Sequence, residues 1–273
     1  MDDEKAATTL RDIAKWGYAV LENVIDEAEV ATIRADVCRI AAHEADAGTA
    51  WVSNGNQRVF ALVNKGQRFI DLAMHSGVMN VVEELLTVNV LLSSITAHVV
   101  LPGNVAQAIH TDQAYIWEPW PQSLVINALW VLDEFNEQTG GTVIYPGTHT
   151  LGVGPSANLA ERESTIVNAA PGSVVMLDGR VWHGSGKNRT EDTSRISILA
   201  YYCAPFLRQQ ENHFRSIAPE VRRNLTPRLR TLLGYDIWNG LGVVGGLPVE
   251  WMGRVGERSG PTNADQIFPE PEA

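Results

Sequence analysis

Apolar positions recur at helical spacing in the first third of the chain and at strand spacing after it. Residues 4–16 read as a short helix and GYAVLENVI (17–25) as a strand. Asp26, with Glu29 three residues on, has the form of a helix N-terminus. Val30, Ile33, Val37 and Ile40 then fall on one helical face through about Ala45, and such a stripe needs a surface to pack against. QRVFALVN (57–64) is strand-like, and GVMNVVEELLT (77–87) reads as a second long helix. From residue 89 the pattern becomes short apolar runs between Gly, Pro and Asn turns. Strands are predicted over 89–101, 107–116, 124–133, 141–146, 165–168, 173–178 and 194–204. Many short strands with turn signals predict a sandwich or barrel. A helical stretch from Ile217 to Leu233, interrupted at Pro227, follows, and the last residues, rich in Pro, Glu, Gly and Asn, read as a frayed end. Helices first and strands after predict an α+β chain, mainly β, with helices buttressing a β core.

Composition narrows the partners. The chain has 273 residues, 45% of them hydrophobic, which is ample for a core, and barrels of this length are routinely one domain. The formal net charge is -11 and there is no basic run. That argues against nucleic acid or an anionic membrane surface as partner. Two cysteines, Cys38 and Cys203, make no disulfide framework and read as thiols in a reducing compartment. The beginning MDDEKAATTL is too polar for a signal peptide, and no apolar run is long enough to span a bilayer. The expectation is a cytoplasmic protein.

The chemistry concentrates in His110-Thr111-Asp112, His183 and Arg195. An H-x-D tripeptide alone is a weak signal. In a strand, however, residues i and i+2 point to one side, so His110 and Asp112 can serve one metal. The strand-like 89–101 ends at Pro102-Gly103, and His183 sits in RVWHGSGKNRT after the strand-like GSVVMLDG. Each ligand therefore lies near a strand end, where a barrel mouth would be. Two imidazoles and one carboxylate on one face of iron(II) leave the opposite face open. The same donor types also suit zinc.

Arg195 opens SRISILAYY. Alternation puts Arg195, Ser197 and Leu199 on one face and Ile196 and Ile198 on the other. A guanidinium fork matches a carboxylate, so Arg195 and Ser197 can both reach one from inside a barrel. Arg180 and Arg189 flank His183 in turns and are expected at the surface. His43, His75, His98 and His213 lack a partner at ligand spacing. Tyr115, Trp117 and Trp120 follow the metal motif and either wall a substrate cavity or pack as lid and core. Of Leu129 and Trp130, neighbours in NALWVLDEF, alternation turns one inward, which makes Leu129 a further substrate candidate. Trp182 is expected to pack behind His183.

The segments QAIHTD, NALWVLDEFNEQTGGTVIYPGTH, PGSVVMLDGRVWHGSGKNRT and SRISILAYYCAPFLRQQEN, roughly residues 98–212, resemble the phytanoyl-CoA dioxygenase-like group of iron(II)- and 2-oxoglutarate-dependent oxygenases. That group includes members that tailor secondary metabolites. The resemblance implies a double-stranded β-helix, or jelly roll, like that of the cupins. One domain (1–273) would comprise a helical buttress (about 1–88), the β-helix core (about 89–206) and a C-terminal extension (about 207–273). It implies iron(II) on His110, Asp112 and His183, with 2-oxoglutarate and O2 as co-substrates. It places Arg195, Gln107, Thr142 and, by a looser match, Arg58 at the 2-oxoglutarate. It makes His149, in YPGTHT, part of a structural loop. Gln107 lies three residues before His110, so ideal alternation would turn it away, and the strand must bend or begin there. The implied reaction oxidises a small-to-medium organic metabolite by hydroxylation, desaturation or rearrangement, releasing succinate and carbon dioxide. The Asp112 carboxylate argues against halogenation.

Two other classes fit parts of the pattern. A zinc-dependent hydrolase or isomerase on a cupin-like barrel could use the same ligands, though Arg195 would then have no task. A non-catalytic β-sandwich binding module would make the histidines structural. Beyond Phe206 the chain carries Leu225, Leu229, Leu232, Leu233, Trp238, Leu241, Val243, Val244, Leu247, Val249 and Trp251. So apolar a tail is expected either to cover its own barrel or to form a two-fold homodimer through part of residues 213–251.

Overall fold

The computed structural model describes residues 3–155 and 157–245. Among the described residues, ten strands form two facing antiparallel sheets. They are β1 (Tyr18–Leu21), β2 (Trp51–Ser53), β3 (Asn56–Val59), β4 (Leu91–Val100), β5 (Val125–Val131), β6 (Thr142–Tyr145), β7 (Thr165–Ile166), β8 (Val174–Asp178), β9 (Trp182–Ser185) and β10 (Arg195–Cys203). The larger sheet runs β1-β8-β5-β10-β4-β3-β2 and the smaller β7-β6-β9. Seven helices accompany them: α1 (Asp3–Trp16), α2 (Glu27–Asp46), α3 (Gln67–Ala73), α4 (Ser76–Leu85), α5 (His213–Ser216), α6 (Pro219–Arg223) and α7 (Pro227–Leu232). This is a double-stranded β-helix with buttressing helices, α+β and mainly β.

Strand periodicity builds two cores from one sheet. On β5, Ile126, Ala128 and Trp130 join a core shared with helices, among them Val30, Ile33 and Val37 of α2 and Val78, Val81 and Val82 of α4. Leu129 and Val131 point the other way, with Val175 and Leu177 of β8, to meet Ile144 of β6. On β10, Ile196, Ile198, Ala200 and Tyr202 face the helices, while Arg195, Ser197, Leu199 and Tyr201 line a cavity between the sheets. With both faces covered, every β5 residue is buried, and each large aliphatic side chain so enclosed contributes about 1.5–3 kcal/mol.

The helix ends follow the expected chemistry. The Asp26 carboxylate accepts the Glu29 N–H at 2.8 Å and starts α2. Pro227 sits in the first turn of α7, where its missing N–H costs nothing. The segment 217–233 is thus two short helices.

Several expectations need correction. Residues 107–116 are not a strand. Only the His110–His183 bridge is strand-like there, because this stretch is tied to β9 and not to the larger sheet. The strand expected over 57–64 stops at Val59, and Leu62–Asn64 forms a 3-10 turn after Ala61 at φ 54. The β2 strand and α3 had no clear signal, being short and half-exposed or apolar without a long period. His183 follows β8, as expected, and itself lies in a further short strand, β9. The first 88 residues supply β1, β2 and β3 to the larger sheet as well as helices.

The described part of the tail beyond β10 packs on its own barrel through its helices. Leu229, Leu232 and Leu233 are buried in the helix-side core, and Leu225 packs against it. Leu229, Leu232 and Leu233 therefore offer no free surface for the expected homodimer. Leu241, Val243 and Val244 remain exposed. Leu247, Val249, Trp251 and the end expected to fray lie outside the described residues. Among the described residues no helix is long and apolar enough to cross a membrane. Cys38 and Cys203 are both free thiols.

Candidate active site

Three side chains converge between the sheets. His110, Asp112 and His183 each offer a ligand atom within 4.8 Å of the others. His183 Nε2 lies 3.3 Å from Asp112 Oδ2, and His110 Nε2 lies 3.6 Å from Asp112 Oδ1. The backbone makes this possible. His110 and His183 form an antiparallel bridge, with His110 N–H donating to His183 O at 2.9 Å and His183 N–H to His110 O at 3.0 Å.

The imidazoles are oriented alike. His110 Nδ1 is 3.0 Å from the Ala108 carbonyl, and His183 Nδ1 is 3.0 Å from the Val181 carbonyl. A carbonyl only accepts, so each Nδ1 carries the proton and each Nε2 presents a lone pair. Burial works to raise the Asp112 pKa, but His183 and His110 overcome it and hold the carboxyl below its ordinary range. Burial works to lower the His183 pKa, and Asp112 reverses that. Three clustered donors of this kind suit one divalent transition metal with positions left open.

A cation lies deeper in the same cavity. Arg195 opens β10 and is 3% exposed. Its Nη2 donates to Ser185 Oγ at 2.8 Å, and its guanidinium carbon sits 4.3 Å from the Phe135 ring centroid. Burial brings its pKa down to about 10, against the pull of Asp133. Arg195 Nε and the neighbouring Ser197 hydroxyl are buried without partners. A buried donor left unmade is costly, so these two groups fit an incoming carboxylate. A buried guanidinium and a hydroxyl with unmade donors thus share one cavity with the three clustered ligand-type side chains.

The remaining expected residues are placed as follows. Arg58, Gln107, Thr142, Ser197 and Leu129 all line this cavity of about 170 Å³. Gln107 reaches it because the chain there is not a strand. Its N–H donates to Ser185 O at 2.9 Å, and its side-chain oxygen accepts the Ser185 N–H at 3.2 Å. Gly184 permits the approach, since a Cβ there would stand 2.9 Å from Gln107 O. Thr142 is set by the preceding glycine pair. A Cβ on Gly141 would meet Val167 O at 2.7 Å, and Gly140 holds φ +77. Arg58 is desolvated, which lowers its pKa against the pull of Asp112. Tyr115, expected as a substrate contact, is half-exposed and hydrogen-bonds Tyr201 but is not among the residues that line the cavity. Trp117 stands in solvent at 94% exposure and does not line the cavity, and Trp120 is buried.

Other expectations resolve simply. Leu129 is the inward member of its pair, and Trp130 enters the helix-side core. Trp182 packs beneath the site, its Nε1 donating to Val153 O at 2.8 Å. His149 is buried against the Ala14 carbonyl, away from the ligands. Arg189 pairs with Glu137 at the surface, as expected. Arg180 is a correction. It is mostly buried in a two-armed ion pair with Asp178, at 2.9 and 2.7 Å.

Sequence reasoning missed three residues here. His98 lines the cavity opposite both Arg58 and Ser197, and burial, then Arg58 and Arg195, push its pKa down to about 3. Its alternation with Ser94 and Thr96 on β4 was the available signal. Tyr201 follows Arg195, Ser197 and Leu199 at period two, and its hydroxyl donates to Asp112 O at 2.6 Å. Asn127 donates to Asp112 Oδ2, and its one signal is an amide within an otherwise apolar strand.

A family model described as phytanoyl-CoA dioxygenase (PhyH) matches residues 13–197. The "Dioxygenase af480" of Aspergillus fumigatus is 30% identical over 66% of this chain, and the match spans 59% of that protein. An uncharacterized protein of Mycobacterium tuberculosis, Rv1501, is 26% identical over 80% of this chain and 83% of its own length. Among solved structures, the epimerase SnoN in complex with Fe3+, alpha ketoglutarate and nogalamycin RO shares the fold. Its TM-score is 0.63 at 20% identity, covering 80% of this chain and 91% of that one.

Proposed function

The chain belongs to the phytanoyl-CoA dioxygenase family; from that premise we propose that it is a non-haem iron(II)- and 2-oxoglutarate-dependent dioxygenase oxidising a small-to-medium organic metabolite of secondary metabolism. His110, Asp112 and His183 would hold the iron. Arg195 and Ser197 would hold the distal carboxylate of 2-oxoglutarate, with Thr142, Gln107 and Arg58 around it. When bound, iron and 2-oxoglutarate supply oxidative decarboxylation by O2, giving succinate, carbon dioxide and an oxidised substrate.

The protein's own part is orientation and exclusion of water. The Ala108 and Val181 carbonyls fix which imidazole nitrogen faces the metal. Arg195 is charged before any ligand arrives and is fixed by Ser185 and Phe135, so little reorganisation is needed. Leu129, Leu177 and Leu199 make the adjoining wall apolar, which suits a hydrocarbon substrate portion. Asp112 occupies the place that a halogenating enzyme would leave open, so hydroxylation, or a related desaturation or rearrangement, is the outcome assigned.

The observation that carries this reading is the buried Arg195–Ser197 pair with unmade donors, opening onto the cavity of the three metal ligands. A zinc hydrolase would leave that pair without a task. The test is anaerobic: iron(II) is added to metal-free protein, then 2-oxoglutarate. A visible charge-transfer band that needs all three components is expected. Stoichiometric metal binding with no such band would overturn the reading.

A further inference from the structure

The β5 strand, VINALWV, contains one polar side chain, Asn127, which is 0% exposed. Its neighbours in the ladder are Tyr201 on β10 and Leu177 on β8. Burying an amide in such a strand is unfavourable unless its groups find partners. Asn127 finds one. Its Nδ2 donates to Asp112 Oδ2, and its Oδ1 has none. Directly across the ladder, the Tyr201 hydroxyl donates to the backbone carbonyl of the same Asp112 at 2.6 Å. Two adjacent strands thus send their only donors at this level to one residue, the carboxylate of the metal face. Asp112 itself lies in a segment outside any strand, so nothing in its own backbone ladder fixes it.

We propose that Asn127 and Tyr201 are positioning residues that make Asp112 a one-oxygen ligand, Asn127 through its bond to Oδ2 and Tyr201 through its bond to the backbone carbonyl. This rests on the iron and 2-oxoglutarate reading above. Two imidazoles, one carboxylate oxygen and a chelating 2-oxo acid fill five of six octahedral positions. A carboxylate that gave both oxygens would fill the sixth and leave no place for O2. A hydrogen bond to Oδ2 disfavours that option, because it fixes the carboxylate plane and makes the two oxygens unequal. It also explains why a buried amide is tolerated with half its valence unmet.

The proposal separates positioning from folding. Asn127→Leu removes the donor but suits the apolar strand, and Asn127→Ser keeps a donor. In Asn127→Leu the metal-free protein should melt no lower than the parent. Its affinity for iron(II), titrated without oxygen, should fall about 10- to 100-fold, as for other outer-shell partners of metal ligands. The charge-transfer band on adding 2-oxoglutarate should shift or weaken, with Asn127→Ser recovering part of both. Tyr201→Phe should change the band in the same sense and by less. Parent-like affinity and an unchanged band in Asn127→Leu would overturn the proposal while the parent's own band keeps the enzyme reading intact. Should Asn127→Leu not fold, Asn127→Ser decides alone: affinity and band identical to those of a well-folded Asn127→Ala would equally overturn it. A parent protein with no band removes the premise, and the proposal falls with it.

Discussion

His110 and His183 are joined backbone to backbone by a reciprocal pair of hydrogen bonds at 2.9 and 3.0 Å, with their rings 4.5 Å apart. Two residues far apart in the chain thereby hold a fixed spacing that does not depend on what their side chains bind. The backbone pairing, and not a bound ligand, sets the separation of the two rings.

Alanine at either histidine should therefore leave the fold in place and empty the site. His110→Ala and His183→Ala are expected to give the parent's circular dichroism spectrum and background iron content by elemental analysis. Full iron loading with turnover in both would refute the ligand assignment.

Arg195→Ala should keep iron and lose 2-oxoglutarate. Truncating one partner of a desolvated charge pair costs on the order of 2–5 kcal/mol. That predicts at least a tenfold weaker apparent affinity for 2-oxoglutarate, read from the titration of the charge-transfer band. An unchanged affinity would move the role to Arg58, the other arginine lining the cavity.

The two remaining arginines near His183 should differ from each other. Arg180→Ala removes the charged partner of Asp178, whose side chain is 5% exposed and keeps the N–H of residue 180 as a donor, for a loss of up to about 3–5 kcal/mol. Arg189→Ala breaks an exposed pair with Glu137, worth about 0–1 kcal/mol. Urea unfolding of the two variants compares them directly. Equal stabilities would contradict the burial of the Arg180 pair.

Acid should weaken the fold through His213. This imidazole is buried with its Nε2 at the Leu92 carbonyl, and burial lowers its pKa to about 4. The folded state thus binds fewer protons here than the unfolded state, whose histidine titrates near 6.5. Stability is lost as pH falls from that value towards 4, by about 3 kcal/mol in all. Glu211 faces it at 4.0 Å, and burial raises its pKa. That carboxyl takes up its proton in the folded state first and so opposes the loss at the acid end. In His213→Gln the fall in stability between pH 6.5 and 4 should be shallower than in the parent. An identical slope would show that the histidine is not the group responsible.

How much of this was legible in the sequence depends on the distance over which each feature is decided. Alternation along SRISILAYY put Arg195 and Ser197 on one face and Ile196 and Ile198 on the other, and the sheet keeps that division. The stripe Val30, Ile33, Val37 and Ile40 was legible as a helix face for the same reason: period is local and steric. H-x-D, His183 and the strand-opening arginine were legible together because few chemistries need that set. Residues 107–116 were misread as a strand because their apolar pattern is real but their hydrogen-bond partner is β9. Arg180 is buried, against expectation, because its guanidinium turns back onto the buried carboxylate of Asp178, two residues before it.

The sequence by itself determined the periods, the helix caps and the kinds of donor available, since each of these is settled by a residue and its near neighbours. Only the tertiary structure decided that Asn127 and Tyr201 meet Asp112, that His98 lies between two arginines, that Gln107 turns inward and that Trp117 does not. Those facts depend on the register between β3, β4, β5 and β10 and on the close approach of backbone at Gly141 and Gly184. A register is chosen by the packing of both faces of a sheet at once, and no single segment carries that information.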